Sequence, residues 1–506
     1  MKKIFETIEF KPVPVIIGLF IFHIALASTM HWLAHSPYFT HLHNGQGFWN
    51  FARDSTLYQD EALTLLDTLN SGNWEQWWAG IDLPNNNRQI KHAHVKWITL
   101  IYWISGEKSP LIFEIVNSAT WVISVILVFL AARVLFNNNV KVAVFSVLYL
   151  FFPSVLLSST QLLRDPFYIL GFCSTIFGWT TIFHENSKWQ GVFALVLGFF
   201  LITVIRSYVA PLLLIIFFIC SIIFLLKRKV SLFPATVMLV SLFFIYSLNG
   251  SSMFKVSSNP VSSTSSKGET KTTTKSPAKN KTPKSAIGFQ DIVQEIWGIT
   301  GETPEGVNDK NLKRNTRDLQ KEVYSKVAKL YNTDEQNNIT GMIRYLNKRV
   351  AIRLSMFRYG FKTVNSTASS IIDENVLFMN LRDLFSYFPR ALQIGFLSPF
   401  PHLWVSPGSE TGHIGRIMAG FETLIVYIVL IGFCSTFFID VKTLESVTPV
   451  LLFSAVFIIL LGFVIPNVGA LYRMRQGLLI PFFMIGVYGL RLLFLKINTR
   501  GAKTDT

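Results

Sequence analysis

Arginine stands in this sequence at places where a membrane chain seldom puts it. SSTQLLRDPFYIL carries Arg164 beside Asp165, Arg206 closes an apolar run, and PNVGALYRMRQGLLIP carries Tyr472, Arg473 and Arg475. The guanidinium is planar, always charged and forked, so it matches phosphate oxygens two at a time. Three short connections that each offer arginine therefore point to recognition of an anionic phosphate. The plain alternative is that each arginine snorkels to the lipid headgroups. The carboxylates gather elsewhere, in ARDSTLYQDEALTLLDTLNSGNWEQWWAG, which holds Asp54, Tyr58, Asp60 and Glu61. Leu57, Leu63, Leu66 and Leu69 share a face of a helix predicted from about Ser55, with Asp54 as its N-cap. An acid at an N-cap is more often structural than catalytic. His92 and His94 stand two residues apart, and His31, His35, His41 and His43 are loosely spaced. Neither set has the spacing of a metal site, so these histidines are read as polar interfacial groups and no metal ligand is assigned. Cys173, Cys220 and Cys434 all lie in apolar runs and read as packing residues.

The elements that position these residues are set by composition. Half of the 506 residues are hydrophobic and 15% are charged, against about 25% in a soluble domain. Mean hydropathy is +0.40. A disordered chain is excluded and a single soluble enzyme is disfavoured. Forty-six Lys and Arg against 30 Asp and Glu give a net charge of +16. Nucleic-acid binding does not follow, because cytoplasmic loops of membrane proteins collect basic residues.

About ten apolar runs are long enough to cross a bilayer, near 13–34, 114–136, 142–159, 166–183, 189–205, 209–226, 230–248, 416–438, 447–465 and 478–495. Lys2, Lys3 and Lys11 precede the first. Arg133 with Lys141, Lys188, Lys227-Arg228-Lys229, Lys442, and Lys496 with Arg500 and Lys503 fall on every second connection, which puts both termini in the cytoplasm. Ala25-Leu26-Ala27 mimics a signal-peptidase site, but the run is long for a signal peptide and reads as an uncleaved anchor.

The predicted organisation is an N-terminal membrane block, 1–248, of about seven spans with an acidic outer loop at 35–113. A flexible Ser/Thr/Lys/Pro linker at 249–286 and an extracytoplasmic helical region at 287–415 follow, then a block of about three spans at 416–506. Asp318–Tyr331 and Asn338–Met356 read as helices. Trp74, Trp77 and Trp78 suit headgroup depth, and HAHVKWITLIYWISG reads as a second interfacial helix. The segment 249–415 holds 22 Lys and Arg against 14 Asp and Glu. Sidedness does not explain that excess; a solubilising linker, or attraction to an anionic surface, does. The fold class expected is an all-α polytopic membrane protein.

Several pieces then resemble a family in their order: Asp54, Tyr58 and Ala62, followed by Gly72-Asn73-Trp74; Ile104-Ser105-Gly106-Glu107-Lys108-Ser109-Pro110, then Asn117; Phe152-Pro153 through Leu163-Arg164-Asp165; Phe388-Pro389-Arg390 through Pro399-Phe400-Pro401; and Tyr472-Arg473-x-Arg475 through Pro481. The chain resembles the multi-pass GT-C glycosyltransferases, in particular the bacterial relatives of protein O-mannosyltransferases and aminoarabinose transferases, a glycosyltransferase family 39-like group. Residues 250–340 have no counterpart in it. The resemblance implies a GT-C-like fold in the bacterial cytoplasmic (inner) membrane. It also implies a polyprenyl-phosphate-linked sugar donor and a glycan or lipid acceptor, with the active site facing the periplasm or outside. The partners expected are that donor, that acceptor and membrane lipids, with no nucleic acid. No cofactor is implied, and a divalent metal stays open. The family uses an acid of the first outer loop as base. Its usual Asp-Glu pair is replaced here by Asp54-Ser55, with Asp60-Glu61 later, so the base stays open between Asp54 and Asp60. Arg164, Arg206, Arg473 and Arg475 are the expected donor-phosphate ligands, and Tyr58, Glu61, His92, His94, Asp165 and Tyr472 the expected groups around the acceptor. An O-antigen polymerase or ligase working on a lipid diphosphate is the nearest rival, but it needs no acidic first loop. A lipid-linked glycan transporter is the other; it would place charge near mid-span, where this sequence has little.

Overall fold

The computed structural model describes residues 12–83, 88–90, 92–184, 188–227, 339–364, 370–373, 376–378, 380–406 and 412–504. The seventh expected span, the linker 249–286 and the helix expected at Asp318–Tyr331 lie outside them. Two compact units divide the chain. One is Met1–Ser252 with Thr367–Asn375 and Phe385–Thr506; the other is Met253–Ser366 with Val376–Leu384.

The larger unit opens with α1, Pro12–Leu33, which runs through Ala25–Ala27 without a break. The acidic loop then forms α2, Asp54–Asn70, and α3, Trp74–Ala79, whose start is capped by the Asn73 side chain accepting from the Gln76 N–H. A short antiparallel hairpin follows, β1, Ile81–Leu83, with β2, Arg88–Ile90, and then α4, Ala93–Ser105. Gly106, in the left-handed region at φ 72°, ends α4 as a glycine C-cap does. Ser109 caps α5, Pro110–Leu135, and Pro110 takes the first turn, where the missing N–H costs nothing.

The expected span 142–159 is not one helix. It is α6, Val140–Val147, then a tight turn, then α7, Pro153–Ser158. Pro153 has no N–H to continue the ladder and biases Phe152 towards extended backbone, and Phe152 has ψ 132°. Next come α8, Asp165–His184, α9, Lys188–Ile205, and α10, Ala210–Leu226. α8 and α9 pack backbone to backbone; a Cβ on Gly178 would lie 2.6 Å from the carbonyl oxygen of Gly191.

In the smaller unit the described residues form α11, Ile339–Val364, whose Ser355 hydroxyl exchanges hydrogen bonds with the backbone of Phe378. The helix expected at Asn338–Met356 is thus present and runs one turn or more further. The chain continues through α12, Leu381–Leu397, α13, Pro401–Trp404, α14, Gly412–Ile439, α15, Val441–Ser446, α16, Thr448–Val464, α17, Val468–Met474, and α18, Gln476–Thr504.

Six described helices are long and apolar enough to cross a membrane: α1, α5, α8, α10 with the turn before it, α14 and α18. α9 and α16 are apolar but shorter. The chain is a helical membrane protein. Its lipid-facing side is legible as large exposed apolar residues, such as Ile123 on α5 and Phe421 and Ile428 on α14.

The face of α2 differs from the expected leucine stripe. Tyr58, Ala62, Leu65, Leu66 and Leu69 are buried, and α2 packs against α4. Trp74 and Trp78 are exposed as a headgroup belt requires, whereas Trp77 is buried between them.

Candidate functional site

Four connections that are remote in sequence meet at one end of the larger unit, and each brings a charged side chain. The connection between α7 and α8 carries Arg164 and Asp165. A polar layer holds it in place: Asn117 on α5 donates to the Gln161 carbonyl at 3.0 Å, the Trp49 N–H donates to the Gln161 side chain at 3.3 Å, and His94 on α4 meets the Leu162 carbonyl at 3.4 Å. His23 on α1 lies between the hydroxyls of Ser118 and Ser159. α17 is placed by its N-cap, Asn467, which accepts from the Gly469 and Ala470 N–H groups and from the Ser370 hydroxyl. Backbone bonds from Val468 to Ser370 and from Ile372 to Pro466 pin the same corner.

The result is a continuous chain of charge. Arg206 Nη2 donates to Asp165 Oδ1 at 2.8 Å, Arg473 Nε lies 3.3 Å from Asp165 Oδ2, and Arg473 Nη2 donates to Asp54 Oδ2 at 2.5 Å. Arg206 and Asp165 are buried, and the Arg206 guanidinium stacks over the Tyr168 ring at 4.4 Å and reaches the Tyr208 hydroxyl at 3.3 Å. Burying such a pair is tolerable because each charge has a partner; removing either leaves the other stranded. Asp54 and Arg473 form the accessible end, with side chains 41% and 30% exposed.

Arg164 completes the group and differs from the other two arginines. It is half-buried and lies within electrostatic reach of Tyr58, Asp165 and His94. Among the described residues its guanidinium has no hydrogen-bond or ion-pair partner. Three arginines against two carboxylates leave one positive charge, and Arg164 carries it. On Asp54, Oδ1 accepts no hydrogen bond among the described residues, so one carboxylate oxygen stays open; Asp54 and Arg164 both lie within electrostatic reach of Tyr58. Tyr58 lines the same place. It is buried, its ring meets His94 at 5.3 Å and His92 at 6.5 Å, and burial raises its pKa. His94 is fully enclosed and held neutral, its pKa lowered to about 3 by burial, while His92 is exposed at the start of α4.

Several expected site residues fall elsewhere. Asp54 is not an N-cap: Arg53 holds that position without a side-chain bond, and Asp54 opens α2 with its carboxylate turned to Arg473. A charge-assisted bond to a half-buried arginine outweighs a neutral cap bond. Asp60, six residues along α2, points about 120° away from Asp54 and is exposed. Glu61 is buried on α2.

Arg475 does not face the group at all. It is fully buried, donates to the Gly395 carbonyl at 2.6 Å and to the Ser398 carbonyl, and lies over the Tyr472 ring. These are the carbonyls that the end of α12 leaves unsatisfied, so the cation acts as a C-terminal cap. Tyr472 donates its hydroxyl to Glu422 Oε2, and Glu422 also accepts from the Ser154 N–H at 2.7 Å and the Ser154 hydroxyl at 2.6 Å.

Glu422 was not among the expected residues. It lies ten residues into α14, so the mid-span positions are less free of charge than the sequence suggested. An ionisable residue within an apolar run is itself the signal that would have found it. Among the described residues no cluster of three or more His, Cys, Asp or Glu is arranged to hold a metal ion. The chain matches no protein-family model, no curated protein and no solved structure.

Proposed function

We propose that the protein is an integral membrane glycosyltransferase that moves a sugar from a polyprenyl-phosphate donor to a glycan or lipid acceptor on the outer face of the bacterial cytoplasmic membrane. The observation that carries this reading is that Arg164, without a polar partner among the described residues, and Asp54, with one open oxygen and the other held by Arg473, both lie within electrostatic reach of Tyr58. An acceptor hydroxyl is a weak nucleophile. Asp54 Oδ1 takes its proton as the hydroxyl oxygen bonds to the anomeric carbon. The bond from that carbon to the phosphate oxygen breaks, and the lipid phosphate leaves carrying the extra negative charge. Arg164, with Arg473 and Arg206 behind it, stabilises that charge. A single displacement inverts the anomeric centre.

Asp54 suits the role of base better than Asp60, which faces solvent and forms no ion pair with an arginine among the described residues. Asp165 is unsuitable, because both its oxygens are taken up by arginine. Tyr58 and His94 shape the acceptor side, and His92 stands at its rim. The GT-C-like architecture belongs to the same proposal. The described residues contribute six long helices, two shorter apolar ones and the broken α6–α7 segment, and with the apolar run that the sequence has at 230–248 the proposal has ten crossings and both termini cytoplasmic. The two half-exposed tryptophans, Trp74 and Trp103, meet ring to ring at 5.1 Å and supply a wall for a prenyl chain.

The test is turnover by the purified protein in lipid nanodiscs, supplied with polyprenyl monophosphates bearing radiolabelled hexose or aminopentose and with extracted envelope glycolipid as acceptor. Release of polyprenyl phosphate is expected, with Asp54→Asn slower by about 100-fold or more. Turnover of a lipid diphosphate donor and none of the monophosphate would replace this reading with a polymerase or ligase.

A further inference from the structure

α12 is too short and too charged to cross a bilayer: it spans 17 residues and includes Arg382, Asp383, Arg390 and an internal Pro389. Its sequence is nevertheless sharply two-sided. Phe385, Phe388 and Leu392 recur at helical spacing along one face, and they are 75%, 44% and 41% exposed. Arg382 and Gln393 flank that stripe on one side, and Arg390 lies further round, opposite it.

Both remaining faces are fixed. Ala391, Ile394 and Gly395 are buried against α16: a Cβ on Gly395 would lie 2.7 Å from the Ile458 carbonyl oxygen, and Gly462 presses on the Ala391 backbone. On the polar side, Arg390 forms a two-pronged pair with Asp373 at 2.9 and 3.2 Å, and Asp373 also accepts from the Tyr387 hydroxyl at 2.9 Å. Arg475 holds the C-terminal carbonyls. A firmly mounted helix thus leaves its phenylalanine face uncovered, with exposed Arg382 and Gln393 along the flank.

We infer that α12 lies in the plane of the membrane surface, with Phe385, Phe388 and Leu392 in the boundary between headgroups and acyl chains and the Arg382–Arg390 side towards water. The occupant is lipid because the face is continuous with a lipid-facing body. α12 rests on the last turns of α16, an apolar helix, within a unit that contains six helices able to cross a membrane. Cations beside the apolar stripe suit anionic headgroups. The mounting also has a consequence for depth. The corner that pairs with Asp373's segment begins α17, and Arg475 follows α17 directly, so α12 fixes Arg473 relative to the bilayer surface. This inference stands on packing and does not depend on the enzymatic reading.

The experiment is spin-label accessibility in vesicles of phosphatidylethanolamine and phosphatidylglycerol. On a full-length Cys434→Ser background, a nitroxide is attached at Phe385→Cys, Phe388→Cys, Arg382→Cys or Gln393→Cys. Labels at 385 and 388 are expected to be relaxed more by oxygen, which partitions into lipid, than by a water-soluble nickel chelate; labels at 382 and 393 are expected to show the reverse order. Chelate-dominated relaxation at 385 and 388 would overturn the inference. So would dipolar broadening between labels at 388 that grows with protein density, which would make the face a contact between two copies of this chain.

Discussion

Arg473 stands part-exposed between Asp54 and Asp165, whereas Arg475, two residues on, is fully buried and donates to the carbonyls of Gly395 and Ser398. The two charged regions they anchor are built from the same residue types: arginine, acid and tyrosine. They differ in what remains unsatisfied. Around Arg475, Tyr472 and Glu422 the hydrogen bonds run into backbone and serine, and the knot holds α7, α12, α14 and α17 together. Around Arg473 the partners are carboxylates, one of them exposed, and a third arginine is left over. A closed knot contributes stability; an open cluster with surplus charge attracts an anion. The same residue type two positions apart serves both, and only burial and partner chemistry tell them apart.

The largest effect expected within the open cluster is at its buried root. Asp165→Asn strands Arg206 without a counter-charge, and should cost about 3–5 kcal/mol. The readout is the thermal midpoint of the purified protein, and a midpoint equal to the parent would show that Arg206 finds another partner. Next is the closed knot. Arg475→Met leaves two buried carbonyls without donors and should lower stability by about 3 kcal/mol, with loss of monodisperse protein on size exclusion. A stable Arg475→Met variant that had lost only lipid-phosphate binding would erase the distinction between the two regions.

A pH-dependent effect follows from His94. Its pKa is about 3 in the folded protein and about 6.5 unfolded. A depressed histidine pKa means that the unfolded chain takes up the proton first. Stability is therefore intact above pH 6.5 and falls as pH drops towards 3, by about 1.4 kcal/mol per pH unit. Thermal midpoints between pH 7 and 4 should decline less steeply for His94→Gln than for the parent; parallel slopes would move the acid sensitivity to another group. The smallest effect belongs to Asp60. Asp60→Asn should leave both midpoint and turnover unchanged, and a loss comparable to that of Asp54→Asn would return the base assignment to the α2 surface.

Much of the fold was legible because membrane spans obey a length rule. The described crossing helices begin within about four residues of where apolar runs placed them. The exception is instructive: 142–159 has the composition of a span, yet Phe152-Pro153 interrupts the hydrogen-bond ladder, and composition does not register a missing N–H. The gathering of outer arginines with the first-loop acid was also legible, since charge sidedness put Asp54, Arg164, Arg206 and Arg473 on one face. What sequence could not assign was the partner of each. Arg473 and Arg475 look alike in YRMR, and only the fold reveals that the C-terminus of α12 arrives at one and Asp54 at the other. Asp54 was mistaken for a cap because its position relative to Leu57 fits one, while its ion pair reaches across 419 residues.

The central claim is that the surplus cation of the open cluster receives a lipid phosphate, and the binding of polyprenyl phosphate to the protein in nanodiscs tests it most directly. Native mass spectrometry of the parent and Arg164→Ala, titrated with the same lipid, should show affinity weaker by about tenfold or more in the variant, with the thermal midpoint unchanged. Equal affinity in the two proteins would contradict the account.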